Sequence, residues 1–350
     1  MQASTAARPP TDNLGPIGRV VACLATPLIV ALCLPAWFAV VGAGAPMLLA
    51  SLGLLGVMVA LLVTLELTLR NPRFTPRPKG TWHVAAFYNG LITPVVAVAL
   101  PSLVLVPGGR WLGQQLGTAA LWPQDLSLAM HVWLVVILVD LTSYGWHRFE
   151  HTATRLKLPW RLHSVHHAPK HYDLWMGAQV HPVDVVVFAL VGFTLMALLG
   201  APVLAIEAAA FFAAVVGGMH HLAADTRAGV FNWLVPFGDH HALHHSVRED
   251  ENGNFGNITT LFDQLFGSYL EPRRFDESPC GAWSLADDYP ERDLRTQLLS
   301  PFGGAAWDRV ARKGPKPTAF PPPVRPDRRW RQAWAVLWLV GVTAAVLRWG

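Results

Sequence analysis

Histidine is the residue whose spacing could do chemistry here. Of fifteen histidines in 350 residues, thirteen fall between His147 and His245. The first group is His147-Arg-Phe-Glu-His151. On a helix, positions i and i+4 share one face with Cβ atoms about 6 Å apart, so both imidazoles can reach one metal ion. The second group, His163-Ser-Val-His166-His167, and the third, His241-Ala-Leu-His244-His245, share an i, i+3, i+4 pattern that gathers three rings on one face. One such triplet could be surface polarity. Two matching triplets plus the first pair, in under a third of the chain, could not. Eight imidazoles exceed the four ligands of a single zinc, so the count implies two metals. Imidazole suits iron, zinc and copper alike, which leaves the metal open.

The face of His147 and His151 extends back through Tyr144 and Asp140. Asp140 is an ionisable residue in an otherwise apolar helix, which is costly without a partner. Either it packs the helix by hydrogen-bonding a neighbour, or it accepts an imidazole N–H and so selects the tautomer that binds metal. His83 and His131 stand apart from the cluster. His131 lies roughly 24 Å from His147 along one helix at 1.5 Å per residue, and both are read as structural.

The elements that must position these rings are membrane helices. Only 14% of residues are charged and 52% are hydrophobic, against about 25% charged in a soluble domain. Apolar runs at about 20–41, 46–69, 84–106 and 126–146 are long enough to span, and 184–219 reads as a hairpin broken at Gly200-Ala201-Pro202. A shorter run, 333–348, follows Arg328, Arg329, Trp330 and Arg331 and reads as a membrane or interfacial helix. Residues 1–19 carry only Arg8 and Arg19 as basic residues, and the run from Val20 outlasts a signal peptide, so the first segment reads as an anchor. The expected organisation is transmembrane helices over 1–125, a catalytic region over 126–271, a Pro-rich, charged, mostly irregular tail over 272–332, and a last helix over 333–350.

Loop charge sets the expected orientation. The 70–83 loop holds Arg70, Arg73, Arg77 and Lys79, and 147–171 holds Arg148, Arg155, Lys157, Arg161 and Lys170. Between them, 107–125 holds only Arg110. The positive-inside rule places the two basic stretches in the cytosol, an even number of crossings apart, and the histidines with them. The fold class is therefore an all-α integral membrane protein, a multi-span bundle with a cytosolic, histidine-rich di-metal cap. No basic patch interleaves with aromatics, which argues against nucleic acid. Cys23, Cys33 and Cys280 form no disulfide framework or CxxC site. Two other function classes compete. HRFEH matches the H-x-x-E-H pattern of inverted zinc peptidases, with Glu150 as base, but leaves the other two groups idle. A histidine-rich metal carrier would favour flexible tracts over rigid helical spacing.

At these groups the chain resembles the fatty acid hydroxylase / sterol desaturase superfamily of membrane di-iron enzymes. The matching stretch runs from about Val139 to Tyr269. It begins with Asp140-x-x-x-Tyr144-x-x-His147-Arg148-x-x-His151, passes through LHSVHH and His181-Pro182 followed by Asp184, and closes on HHSVREDENGNFGNITTLFDQLFGSYLEP. Phe255 and Phe262 replace the family's usual aromatic partners, and Ser268 its threonine. The resemblance implies two irons ligated by His147, His151, His163, His166, His167, His241, His244 and His245. It adds His221 of GMHHLAAD, with Asp225 a turn further on, and His181. It makes Asn254 and Asp263 residues that support the ligands, and His171 and His240 neighbours. The implied reaction is O2-dependent hydroxylation or desaturation of a membrane lipid such as a fatty acyl chain or sterol. No GxGxxG follows a strand, and nothing resembles a fused cytochrome b5, so an external ferredoxin- or cytochrome b5-like donor is implied.

Overall fold

The computed structural model describes residues 14–71, 74–153, 155–271, 280–282, 284–313 and 327–349. Arg8, Arg73 and much of the Pro-rich stretch (272–279 and 314–326) lie outside these residues. Among the described residues six helices are long and apolar enough to cross a membrane: α1 (Pro16–Gly42), α2 (Met47–Thr68), α3 (Trp82–Leu116), α4 (Leu128–Thr152), α7 (Val203–His220) and, late in the chain, α12 (Arg328–Trp349). Helix is the form that satisfies every backbone polar group within its own segment, as lipid requires. Between α4 and α7 come α5 (Lys157–His167) and the shorter apolar α6 (Pro182–Leu198). Then follow α8 (Gly238–His244), α9 (Leu261–Phe266), α10 (Leu294–Leu299) and α11 (Gly304–Val310).

α7 is the central element. In its most apolar window 56% of residues are buried inside the protein, against 17% for α1. It packs on α1, α2 and α4, and Trp37 stacks on Phe211 across the α1–α7 contact. The expected hairpin is present, with α6 and α7 joined at Gly200-Ala201-Pro202. Gly200 has φ +97°, and a Cβ there would lie 2.1 Å from the Ala119 carbonyl oxygen, so the turn requires glycine.

Two elements depart from the sequence reading, and the last helix, expected as membrane or interfacial, is long and apolar enough to span. α3 continues to Leu116, well into the expected 107–125 loop, and is wound as π-helix over Tyr88–Ala99 and Pro101–Leu105. Pro94 and Pro101 lie in these wide turns, where the missing N–H breaks the ordinary i→i−4 ladder. α12 runs along α4 rather than lying flat: Trp133 donates to Thr343 Oγ1 at 3.0 Å, while Gln332 near its start reaches the Leu265 carbonyl. Residues 284–313 are a folded cap rather than an irregular tail. Leu285, Tyr289 and Val310 bury against Ala168, and the Arg161 guanidinium sits 4.7 Å over the Trp307 ring. Isolated apolar residues among prolines and charges leave no period to read, yet together they close a small core.

The two basic stretches do lie at one end of the bundle. Arg77 pairs with Asp173 through two bonds of 2.8 and 2.7 Å, and Tyr172 N–H donates to the Thr75 carbonyl. The 284–313 cap joins the same end, where His83 Nε2 meets the Arg292 carbonyl at 2.9 Å.

Candidate metal centre

Five short pieces of chain meet at that end. α4 ends on His147 and His151, α5 carries His163, His166 and His167, and α7 stops at His220 with His221 as its C-cap. α8 carries His241 and His244 with His245 as C-cap, and the 252–256 loop backs the group. The rings sort into two sets, in each of which the ligating atoms lie within 4.8 Å of one another. One holds His147, His151, His163, His167 and His244, the other His166, His221, His241 and His245. The i, i+3, i+4 triplets are therefore split. His166 turns to the second set while His163 and His167 serve the first, and His244 parts from His241 and His245. The sets adjoin through His167 and His245, whose rings stack at 4.2 Å.

Hydrogen bonds select the tautomers. His147 Nδ1 lies 2.8 Å from the Phe255 carbonyl and His244 Nδ1 lies 2.7 Å from that of Gly253. A carbonyl only accepts, so each Nδ1 carries the proton and each Nε2 turns a lone pair toward the set. His163 Nδ1 faces Asp184 Oδ2 at 3.2 Å and Glu150 Oε2 at 3.3 Å, and its Nε2 points inward likewise. The consequence is crowding of acceptors. His163 Nε2 lies 3.0 Å from His147 Nε2 and 3.1 Å from His167 Nε2. In the second set His245 Nε2 lies 3.0 Å from His221 Nε2 and 3.1 Å from His241 Nε2.

Burial disfavours the charged form of several of these rings. It pushes the His166 imidazole down to about 3 and holds those of His167, His221, His241, His244 and His245 well below the usual range. Neighbouring histidines add to the effect. Neutral imidazole is the form that ligates metal. Buried nitrogens without a hydrogen-bond partner include His151 Nε2, His166 Nδ1, His241 Nδ1 and His244 Nε2. Each would cost about 1–3 kcal/mol if left unsatisfied, a sum comparable to the stability of a whole domain. Two cations shared among the nine imidazoles would relieve the crowding of Nε2 atoms and much of that cost. The residues therefore fit two metal ions.

Residues 132–268, which contain all nine rings, match the family described as fatty acid hydroxylase. The chain carries a fatty acid hydroxylase domain. An ornithine lipid hydroxylase of Rhizobium tropici is 26% identical over 196 residues, covering 56% of this chain and 57% of that protein. The chain thus spans a little over half the length of that relative. No solved structure matches it.

Other residues singled out from the sequence stand around the hydroxylase domain's centre rather than in it. His181 lies outside both sets and is corrected from ligand to helix cap: its Nδ1 accepts from Val183 N–H and its Nε2 faces the Leu298 carbonyl. Asp225 is not one helical turn beyond His221, because α7 has ended and residues 223–225 run extended beside 69–71. Asp140 holds no imidazole. It accepts from the N–H groups of Ile258 and Thr259 and from the Thr259 hydroxyl, which is the packing alternative. Tyr144 bonds Ser268 at 2.8 Å and receives Arg148, so it too acts on the loop. Asp263 accepts from Phe255 and Gly256 N–H at 2.8 and 2.7 Å and from Ser268. Asn254, at φ +58°, ties His240 O to Leu270. These side chains reach the rings only through the loop whose Gly253 and Phe255 carbonyls orient His244 and His147. His171 pairs with Glu291, and His131 accepts from Trp122 Nε1.

The sequence reading gave no role in the centre to the Glu150–Asp184 pair behind His163. Asp184 was visible only as part of the His-Pro element, and Glu150 only as a would-be peptidase base. The 252–256 carbonyls had no signal at all, since a backbone oxygen is the same in every residue.

Proposed function

We propose that this chain hydroxylates a membrane lipid with dioxygen at a pair of irons held by the nine histidines, facing the cytosol and reduced by an external ferredoxin- or cytochrome b5-like donor. The observation that carries the reading is the pairing of two adjacent, buried, all-histidine sets within a fatty acid hydroxylase domain at the ends of helices long and apolar enough to span a membrane. When bound, the irons supply oxidation of an unactivated C–H bond. The protein's share is different. α4, α5, α7 and α8 hold nine nitrogens at fixed spacing, the Gly253 and Phe255 carbonyls and the Asp184 carboxylate set three of the tautomers, and burial keeps bulk water from the reacting atoms. The relative from Rhizobium tropici makes an ornithine-type aminolipid the first substrate to test.

Geometry disfavours the peptidase alternative. Glu150 turns behind His163 toward Asp184 instead of facing the five-histidine set, so HRFEH offers no base to a metal-bound water. A carrier is disfavoured by the rigid backing of the ligands. The test is metal analysis of purified protein together with mass spectrometry of lipids incubated with 18O2 and a reductant. Two irons and incorporation of one labelled oxygen are expected. Loss of two hydrogens without label would make the reaction a desaturation, and one zinc with peptide cleavage would overturn the proposal.

A further inference from the structure

Hydrogen bonds steady the five-histidine set. The Phe255 and Gly253 carbonyls and the Asp184 carboxylate face the Nδ1 atoms of His147, His244 and His163. In the four-histidine set, His221 Nδ1 is buried and has no hydrogen-bond partner among the described residues. What lies against it is Gly177. A Cβ built there would stand 2.8 Å from His221 Nδ1 and 3.2 Å from its Cγ, inside van der Waals contact. The backbone at this position does not ask for glycine: φ is −57° and ψ −33°, a right-handed conformation open to any L residue. The close approach of the imidazole does. The ring has little room to retreat, because its Nε2 lies 3.0 Å from His245 Nε2 and the His241 and His166 rings stand 4.6 and 4.8 Å away.

Gly177 is itself held in place. It follows the 3₁₀ turn Leu174–Met176, which Asp173 caps by accepting from Met176 N–H while paired with Arg77. Glu66 on α2 is buried, and its Oε2 accepts from Leu174 N–H at 3.0 Å and from Ala223 N–H at 3.1 Å. One oxygen thereby ties the turn to the chain just past His221. On the other side, the Tyr172 hydroxyl donates to the His220 carbonyl at 2.5 Å. The 172–177 segment is therefore fastened to the end of α7 both before and after His221.

We propose that the 172–177 turn is the positioning wall of the four-histidine site: Gly177 sets the His221 ring by contact, and Glu66 holds the turn against it. The inference rests on the two-metal reading above. Neither residue is a ligand. Metal–nitrogen distances tolerate only about ±0.2 Å, so a side chain at 177 that displaces the ring weakens the ion it serves.

The test is titration of full-length protein in detergent with cobalt(II), followed by visible absorption, with the melting temperature of the metal-free protein as the check on folding. Wild type should bind two equivalents. In Gly177→Val one ion should bind as in wild type and the other about 10–100-fold more weakly, the range for groups that orient ligands, with little change in melting. Gly177→Ala should show the same effect in smaller measure. Gly217→Ala, where an added Cβ meets nothing within 4 Å, should bind both ions normally. Glu66→Leu should weaken the same ion, and Glu66→Gln, which keeps an acceptor oxygen, should restore it. Adding Gly177→Val to His221→Ala should cost nothing further, because the ring it acts on is gone. Normal binding of both ions in Gly177→Val, equal weakening of both, or a loss that adds to that of His221→Ala would overturn the proposal. Binding of a single equivalent by wild type would defeat the two-metal reading instead, and the wall would then stand only if Gly177→Val and His221→Ala weakened that ion non-additively.

Discussion

The imidazoles of His167 and His245 stack at 4.2 Å, 20° from parallel, although each belongs to a different metal set. They form the wall between the two candidate metal sets. Substituting either should therefore remove one metal and weaken the other. For His167→Ala and His245→Ala, bound metal is expected to fall from two ions to about one or fewer per chain. Hydroxylated product should disappear while the protein stays membrane-inserted. Two ions retained in either variant would contradict the partition of the rings.

His163 is backed by Asp184 at 3.2 Å, with Glu150 alongside at 3.3 Å. A carboxylate behind a ligating histidine fixes the ring and raises its basicity, and its loss typically costs 10–100-fold in affinity or activity. Asp184→Asn is expected to lower metal affinity by about that factor, read by competition with a chelator. Unchanged affinity would make Asp184 a packing residue only.

Asp140 illustrates the energetics of a buried acid inside a membrane helix. Its carboxylate accepts two backbone N–H groups and one hydroxyl from the loop that carries Phe255. Asp140→Ala would orphan these donors at about 1–3 kcal/mol each, a loss on the order of several kcal/mol. A markedly lower melting temperature in detergent is the expected result, with reduced metal content following from the slackened loop. Wild-type melting would show that the loop is held from elsewhere.

His181 and His83 supply the contrasting case. Both rings are engaged outside the two sets, His181 as a helix cap and His83 on the Arg292 carbonyl. His181→Ala should keep both metals and lose about 1 kcal/mol of stability, in the range of a helix cap. His83→Ala should be nearly silent. Loss of an ion in either would mean that a ligand has been misplaced.

How much was legible in the chain itself follows physical lines. Hydropathy and spacing are local quantities, so the apolar runs, the hairpin at Gly200 and the helical histidine groups could be read directly from residue order. The count of imidazoles already implied two metals. Which ring joins which metal could not be read, because i, i+3 and i+4 positions share a face whether they serve one ion or two. Only the tertiary arrangement, which sets His166 against His221 and His245 and His167 against His151 and His244, sends the two rings to different sets. The same holds for His181, whose sequence context resembles a ligand's but whose nitrogens are taken by Val183 and Leu298. Backbone carbonyls that set tautomers, and scattered leucines and tyrosines that close a cap, acquire their roles from contacts across a hundred residues. The residue types determined that this protein gathers a histidine-rich cluster able to hold metal; the tertiary structure decided how nine rings divide into two sets.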